Sequence, residues 1–241
     1  MPRKNNFSRT GDVSTDVLLT DEMTWSAQEA YKALRTNVMF SLPGSGCKII
    51  GVTSAVMHEG KSINAINLAL SLLQLNKKVL LIEGDLRLPT IGARLQLNTD
   101  KGLTDLLTGQ CQGGEAMVRS DLYGLDVIPA GTIPPDPTWL LQSNQMDALI
   151  AELKKYYEYI IIDLPPVMTV ADAAIMSRLI DGYILVVRHQ LTDKRAVGDM
   201  LEILSGVNAK VLGFLYNDAS SEGGKYYRGY YKGYYKGYYK K

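Results

Sequence analysis

Residues 48–75 read KIIGVTSAVMHEGKSINAINLALSLLQL. KIIGVTS (48–54) is a short apolar run of the kind a strand covered on both faces produces. AVMHEGKS (55–62) follows, and from Lys61 to Leu75 the pattern is helical. Strand, glycine-lysine-serine loop and helix in that order open an α/β unit.

The same alternation continues outward in both directions. Ser26 to Phe40 predicts a helix, ended by Pro43, Gly44 and Gly46. KVLLIEGD (78–85), LDVIPAG (125–131), YIIID (159–163), YILVV (183–187) and KVLGFLYN (210–217) read as further strands. Helices are expected over Gly102–Leu107, Thr138–Lys155, Ala171–Ile180 and residues 193–205, with a proline-rich loop at GTIPPDP (131–137). Continuous apolar strands separated by helices imply an α/β fold with a mostly parallel sheet and helices on both faces. Ligands of such folds sit beyond the carboxyl ends of the strands.

Composition sets the outer bounds. A chain of 241 residues, 46% hydrophobic, suffices for one sizeable core. We expect a flexible leader over 1–22, a phosphate-loop domain over 23–218 and a disordered tyrosine-rich tail over 219–241. Net charge is +1, but six basic and no acidic residues follow from Lys225 onward, leaving about −5 for the rest. Cys47 and Cys111 form no CxxC pair, which fits a reducing compartment without a disulfide framework. The N-terminus shows no apolar signal region and no run is long enough to span a bilayer, so a cytoplasmic location is expected.

The loop 55–62 is a relaxed phosphate-binding loop with Ala55 where a first glycine is usual. The backbone N–H groups of His58, Glu59, Gly60, Lys61, Ser62 and Ile63 would cradle phosphate oxygens at a helix N-terminus. Lys61 would reach the β- and γ-phosphates of ATP, and the Ser62 hydroxyl would meet Mg²⁺. His58 stands where glycine is common, and histidine tolerates positive φ.

Acids end two of the apolar strands. LLIEGDLRLP (80–89) supplies Glu83, Asp85 and Arg87, and IIIDLPP (160–166) supplies Asp163. A carboxylate ending a buried strand is costly unless it meets a cation. Asp163 and Asp85 are therefore expected at Mg²⁺, together with Ser62. The far end of the chain reads YYRGYYKGYYKGYY (226–239), a Tyr-Tyr-basic-Gly repeat. It carries Tyr226, Tyr227, Tyr230, Tyr231, Tyr234, Tyr235, Tyr238 and Tyr239. A phenol has a pKa near 10 and benefits from a base when it acts as nucleophile. Glu83 or Asp85 is positioned in sequence to serve. Read without the loop, the same repeat is a cationic aromatic segment suited to anionic lipid, polysaccharide or nucleic acid.

This order of motifs, AVMHEGKS, EGDLRLP, IIIDLPP and a terminal tyrosine cluster, resembles the bacterial tyrosine kinases. The similarity runs from about Glu29 to the end, and is strongest to the stand-alone cytoplasmic type that accompanies capsular or extracellular polysaccharide synthesis in Gram-positive bacteria. The resemblance implies a P-loop NTPase fold of the ParA/MinD type and a Mg·ATP-dependent tyrosine kinase that autophosphorylates its tail. It implies Glu83 as general base, at a position usually Asp, and Asp85 at the metal. Lys61 and Arg87 complete the expected catalytic set, and Asn217 is expected near adenine. EAYKALR (29–35) resembles the family's oligomerisation motif, with Glu29, Lys32 and Arg35 at i, i+3 and i+6 and Lys32 replacing an arginine.

The resemblance further implies a homo-oligomeric ring, up to an octamer. Its expected partners are a membrane-anchored activator of the chain-length-determinant type, which recruits the protein to the inner membrane face, and a cognate tyrosine phosphatase. No nucleic-acid partner is expected. Two other readings remain open at this level. One is a ParA/MinD-like ATPase switch, against which stands Val56 where that group carries a signature lysine. The other is a weakly catalytic regulatory adaptor of a polysaccharide assembly complex.

Overall fold

The computed structural model describes residues 18–19 and 23–218; the tyrosine repeat lies outside the described residues. Seven strands form one sheet: β1 (Lys48–Ser54), β2 (Val79–Glu83), β3 (Val118–Arg119), β4 (Asp126–Ile128), β5 (Tyr159–Asp163), β6 (Gly182–Arg188) and β7 (Val211–Asn217). Their order across the sheet is β3-β4-β2-β5-β1-β6-β7. Every pairing is parallel except β3 with β4.

Alternate residues of the central strands feed two cores, as the two-residue strand period requires. Ile160 and Ile162 point into one cluster with Leu80, Ile82, Leu140 and Met200. Ile161 points into the other with Leu81, Ile66 and Val38. Burying such a side chain contributes roughly 1.5–3 kcal/mol. The second cluster packs under α1 (Trp25–Ser41) and α2 (Lys61–Leu73), and it includes Leu19 at 6% exposure. The flexible leader expected over 1–22 therefore does not describe Leu19, whose N–H also bonds Asn67 Oδ1 at 2.8 Å in the interior.

Short helices follow: α3 (Ile91–Arg94), α4 (Leu103–Leu107) and α5 (Gly113–Ala116). The single helix expected over 138–155 is two, α6 (Pro137–Leu141) and α7 (Asn144–Leu153). Ser143 interrupts them by capping α7, its Oγ accepting from Met146 N at 3.3 Å. Asp136 caps α6 through Trp139 N, with Pro137 in the first turn. The helix expected over 171–180 is α8 (Asp172–Ile175) running into a 3₁₀ turn, Met176–Arg178. The strand expected over 125–131 is only three residues long, and β3, unforeseen, pairs with it as a short edge. α9 (Lys194–Gly206) then leads to β7. No helix among the described residues is long and apolar enough to cross a membrane.

Candidate active site

The loop between β1 and α2 lies at the carboxyl edge of the sheet. His58 (φ 65°) and Gly60 (φ 88°) both take left-handed backbone, so two turns in three residues wind the chain into α2. At Gly60 a methyl group would overlap Asn217 Nδ2, so glycine is required there. The Asn217 amide instead donates to Glu59 O at 3.0 Å, and Asn64 Nδ2 donates to Gly60 O at 2.8 Å. The Glu59 side chain is buried and folds back, accepting from Val56 N at 2.8 Å and from the Thr192 hydroxyl. Arg188 Nη1 donates to His58 O at 2.9 Å. Glu59 thus stabilises the loop's shape with its side chain and leaves only its backbone to face a ligand. Of the residues that hold the loop from the β6–β7 side, sequence reading named Asn217 and missed Arg188 and Thr192. Their one sequence signal is position, just at or beyond the carboxyl end of β6.

Register brings the acids together. Glu83 is the cross-strand partner of Asp163, and Val52 of β1 flanks Asp163 on its other side. Lys61 Nζ lies 2.8 Å from Asp85 Oδ2 and 3.7 Å from Asp163 Oδ2. Burial pulls the Lys61 ammonium down, but the carboxylates of Asp163 and Asp85 outweigh it and the net shift is upward. Asp163 is 1% exposed, and neither of its oxygens has a hydrogen-bond partner. Burial accordingly raises its pKa, with the Lys61 charge opposing.

Glu83 behaves differently. One oxygen accepts from Thr90 N and from Ile91 N at 2.6 Å, and the other accepts from Ala130 N at 3.2 Å. Its carboxylate ties the start of α3 to the end of β4, while burial still moves its pKa upward against those three donors. Gly84 makes the tight pass possible: a Cβ there would stand 2.9 Å from Asp163 O. Asp85 is the acid turned toward the loop, with Oδ1 accepting from Leu88 N at 3.1 Å. Arg87 points to α8, bonding Asp172 Oδ2 at 3.0 Å and Thr138 Oγ1 at 2.9 Å.

The residues fit a nucleotide with a divalent cation. A wound glycine loop at a helix N-terminus presents N–H groups to phosphate. The Asp163 carboxylate has no hydrogen-bond partner and only the Lys61 ammonium at 3.7 Å, and with the Ser62 hydroxyl beside Lys61 it offers oxygen ligands suited to a hard cation. Among the described residues no group of three or more His, Cys, Asp or Glu side chains could hold a metal by itself.

A family model described as an AAA domain matches residues 47–212. Tyrosine-protein kinase YwqD of Bacillus subtilis is 37% identical over 215 residues, spanning 89% of this chain and 90% of that protein. Tyrosine-protein kinase CpsD of Streptococcus agalactiae is 37% identical over 83% of this chain and 85% of its own length. The kinase domain of Escherichia coli tyrosine kinase ETK superimposes with a TM-score of 0.77 at 30% identity, covering 80% of this chain and 75% of that one.

The chain belongs to the bacterial tyrosine kinases.

It is a tyrosine-protein kinase with an ATP-binding phosphate loop on a mostly parallel sheet, as the resemblance implied. The likeness to septum site-determining protein MinD of Pyrococcus horikoshii, at 22% identity and a TM-score of 0.62, is one of fold alone.

In this kinase the triplet expected to mediate oligomerisation divides. Glu29 and Lys32 pair at 2.7 Å on the surface. Arg35 instead turns to α2, donating to Ser71 O at 2.7 Å and Gln74 Oε1 at 3.2 Å. The i, i+3, i+6 spacing was expected to present one face, but the face curves from solvent into the α1–α2 seam. Between Glu29 and Arg35 sits Tyr31, which the sequence reading passed over. Its hydroxyl donates to Asn64 Oδ1 at 2.7 Å and accepts from Asn67 Nδ2 at 2.9 Å. Through Asn64 it is two hydrogen bonds from Gly60 O in the phosphate loop. The eight expected phosphoacceptors, from Tyr226 to Tyr239, lie outside the described residues.

Proposed function

We propose that this kinase transfers the γ-phosphoryl group of Mg·ATP to the tyrosines of its own C-terminal repeat, one subunit serving the tail of another. The observation that carries the reading is Lys61 held between Asp85 and Asp163 at the mouth of the phosphate loop. An ammonium already loosely shared by two acids is poised to exchange them for phosphate oxygens.

Bound Mg²⁺ would supply neutralisation of phosphate charge, held by Ser62 and Asp163. When Lys61 turns to the phosphates, Asp85 is freed. Its carboxylate then accepts the phenolic proton as the tyrosine oxygen bonds the γ-phosphorus and the bond to the ADP oxygen breaks. We assign the base to Asp85 rather than Glu83, because all the hydrogen bonds of Glu83 go to backbone N–H groups. Glu83 acts as a positioning residue that fixes β2 and its loop. Arg87, anchored on Asp172 and Thr138, holds the following turn so that Asp85 keeps its aim.

The finer expectations extend this reading. Glu29, Lys32 and Arg35 of α1 would meet a neighbouring subunit in a ring, up to an octamer. A membrane-anchored activator of the chain-length-determinant type would recruit the kinase to the inner membrane face, a tyrosine phosphatase would reset it, and polysaccharide synthesis and export would be the regulated process. Each phosphate adds about −1.5 to −2 charge, so eight would turn a tail of about +6 strongly negative and loosen tail-to-tail packing.

Incubating the protein with Mg·ATP and mapping phosphotyrosine by mass spectrometry tests the proposal, with and without an activator segment. Phosphate on residues 226–239 is expected in the intact chain and none in Lys61→Met. An intact chain without tail phosphate under both conditions overturns it.

A further inference from the structure

The segment SLPGSGCK (41–48), from the end of α1 to the start of β1, lies at the amino edge of the sheet. The phosphate loop follows the other end of β1, so the strand separates the two loops by roughly 20 Å. A cavity of about 420 Å³ opens beside this segment, a size that suits a small ligand. Lys48, Lys77 and Lys154 line it, together with Met39, Leu42 and Tyr157. These residues belong to α1, the start of β1, the approach to β2 and the end of α7, so a single concavity joins four parts of the fold. The phosphoryl-transfer machinery at the opposite edge makes no use of it.

The cavity has the chemistry of an anion site. Gly44 (φ 98°) and Gly46 (φ 91°) take left-handed backbone, while Ser45 between them does not. Such alternation turns successive N–H groups to one side and makes a concavity for an anion. Among the described residues, the N–H groups of Gly44, Ser45, Gly46 and Cys47 donate to no protein acceptor. Lys48 Nζ stands beside this turn and donates only to the neutral Pro43 carbonyl, at 3.1 Å. The Lys154 ammonium has no acidic partner among the described residues. The nearby acids are engaged. Glu158 accepts from Lys77 Nζ at 2.9 Å and from Lys78 N at 3.0 Å, and Asp181 accepts from Ile49 N at 2.7 Å. Burial pushes the Cys47 thiol up to about 11, so at neutral pH it adds no negative charge.

We propose that this cavity is a second ligand site that takes an aryl phosphate, the phosphotyrosine side chain that this kinase's own reaction produces. The Gly44–Cys47 turn, Lys48 and Lys154 hold the phosphate, and Met39, Leu42 and Tyr157 pack against the ring. Apolar walls favour an aromatic body over a hydroxylated sugar. An occupant would tie the end of α1, the helix that carries Glu29, Lys32 and Arg35, to the strand that leads into the phosphate loop.

The test titrates O-phosphotyrosine into the full chain by calorimetry. The protein is first stripped of its own phosphate with a tyrosine phosphatase, which is then removed. Its phosphate loop is filled with Mg²⁺ and a non-hydrolysable ATP analogue, so that only a second site can respond. Saturable binding is expected, at least about tenfold tighter than that of inorganic phosphate or glucose 1-phosphate. The double variant Lys48→Met, Lys154→Met should weaken it about tenfold or more. Ser45→Asp, which sets a carboxylate at an exposed position of the turn, should do the same without removing either lysine. Both variants should keep the wild-type melting temperature and affinity for the ATP analogue. No binding of O-phosphotyrosine to wild type overturns the site, and so does equal binding to wild type and to either variant. Equal affinity for O-phosphotyrosine and the other two phosphates overturns the assignment to an aryl phosphate.

Discussion

Lys61 Nζ stands 2.8 Å from Asp85 Oδ2, and both side chains are nearly buried. Lys61→Met should abolish phosphoryl transfer. It should also lower stability by about 3 kcal/mol, because two acids lose their shared cation. Adding Asp163→Asn should recover part of that stability and none of the activity. Urea denaturation of the single and double variants reads the first effect, and phosphotyrosine formation reads the second.

Asp163 opposes folding when it is ionised. Its folded-state pKa is raised by burial, so its favourable contribution exists below the ordinary value of 3.8 and is lost as pH rises toward the folded value. Without nucleotide and with a chelator present, Asp163→Asn should be more stable than wild type at pH 7 by about 1–3 kcal/mol. The difference should shrink as pH falls toward 4. With Mg·ATP added, wild type should gain stability and the variant little. Thermal melts across that pH range decide the matter, and equal melts of the two proteins at pH 7 would contradict the orphaned-carboxylate reading.

Glu83 and Asp85 should separate cleanly. Glu83→Gln keeps one acceptor for Thr90 and Ile91 but turns an N–H₂ toward Ala130 N, costing about 1–2 kcal/mol. Its transfer rate should remain within about tenfold of wild type, whereas Asp85→Asn should lose about 10²–10⁴-fold. Single-turnover rates at saturating ATP make the comparison. The reverse ranking would return the base to Glu83.

Tyr31→Phe removes the hydroxyl that joins Asn64 to Asn67. Stability should fall by about 1–3 kcal/mol. Because Asn64 also bonds Gly60 O, the KM for ATP should rise several-fold with kcat nearly unchanged. A loss of stability with no change in KM would confine the hydroxyl to packing.

Most of the sheet was legible because its strands are buried on both faces and so read as unbroken apolar runs. KIIGVTS and YIIID match β1 and β5 residue for residue. What escaped was local. β3 has two residues, too few for any period, and the break at Ser143 is a cap inside a segment whose propensity is helical throughout. At the site the residue types were readable, but the direction of each side chain was not. Glu83 and Asp85 look interchangeable as letters. Only the register with Asp163, and the approach of Ala130 from β4, separates an acid bonded wholly to backbone from one paired with Lys61. Likewise nothing in EAYKALR tells that Arg35 bonds backward to α2.

The Glu83 carboxylate meets backbone from two loops 39 residues apart, at Ile91 and at Ala130. Its length is therefore matched to the spacing between those loops. A lineage that exchanges it for aspartate gives up about one methylene of reach and must draw the start of α3 or the end of β4 inward to compensate. Position 83 should then drift in step with the residues around 90 and 130, so that an acid bonded only to backbone leaves its mark as coevolution across three separate stretches of sequence.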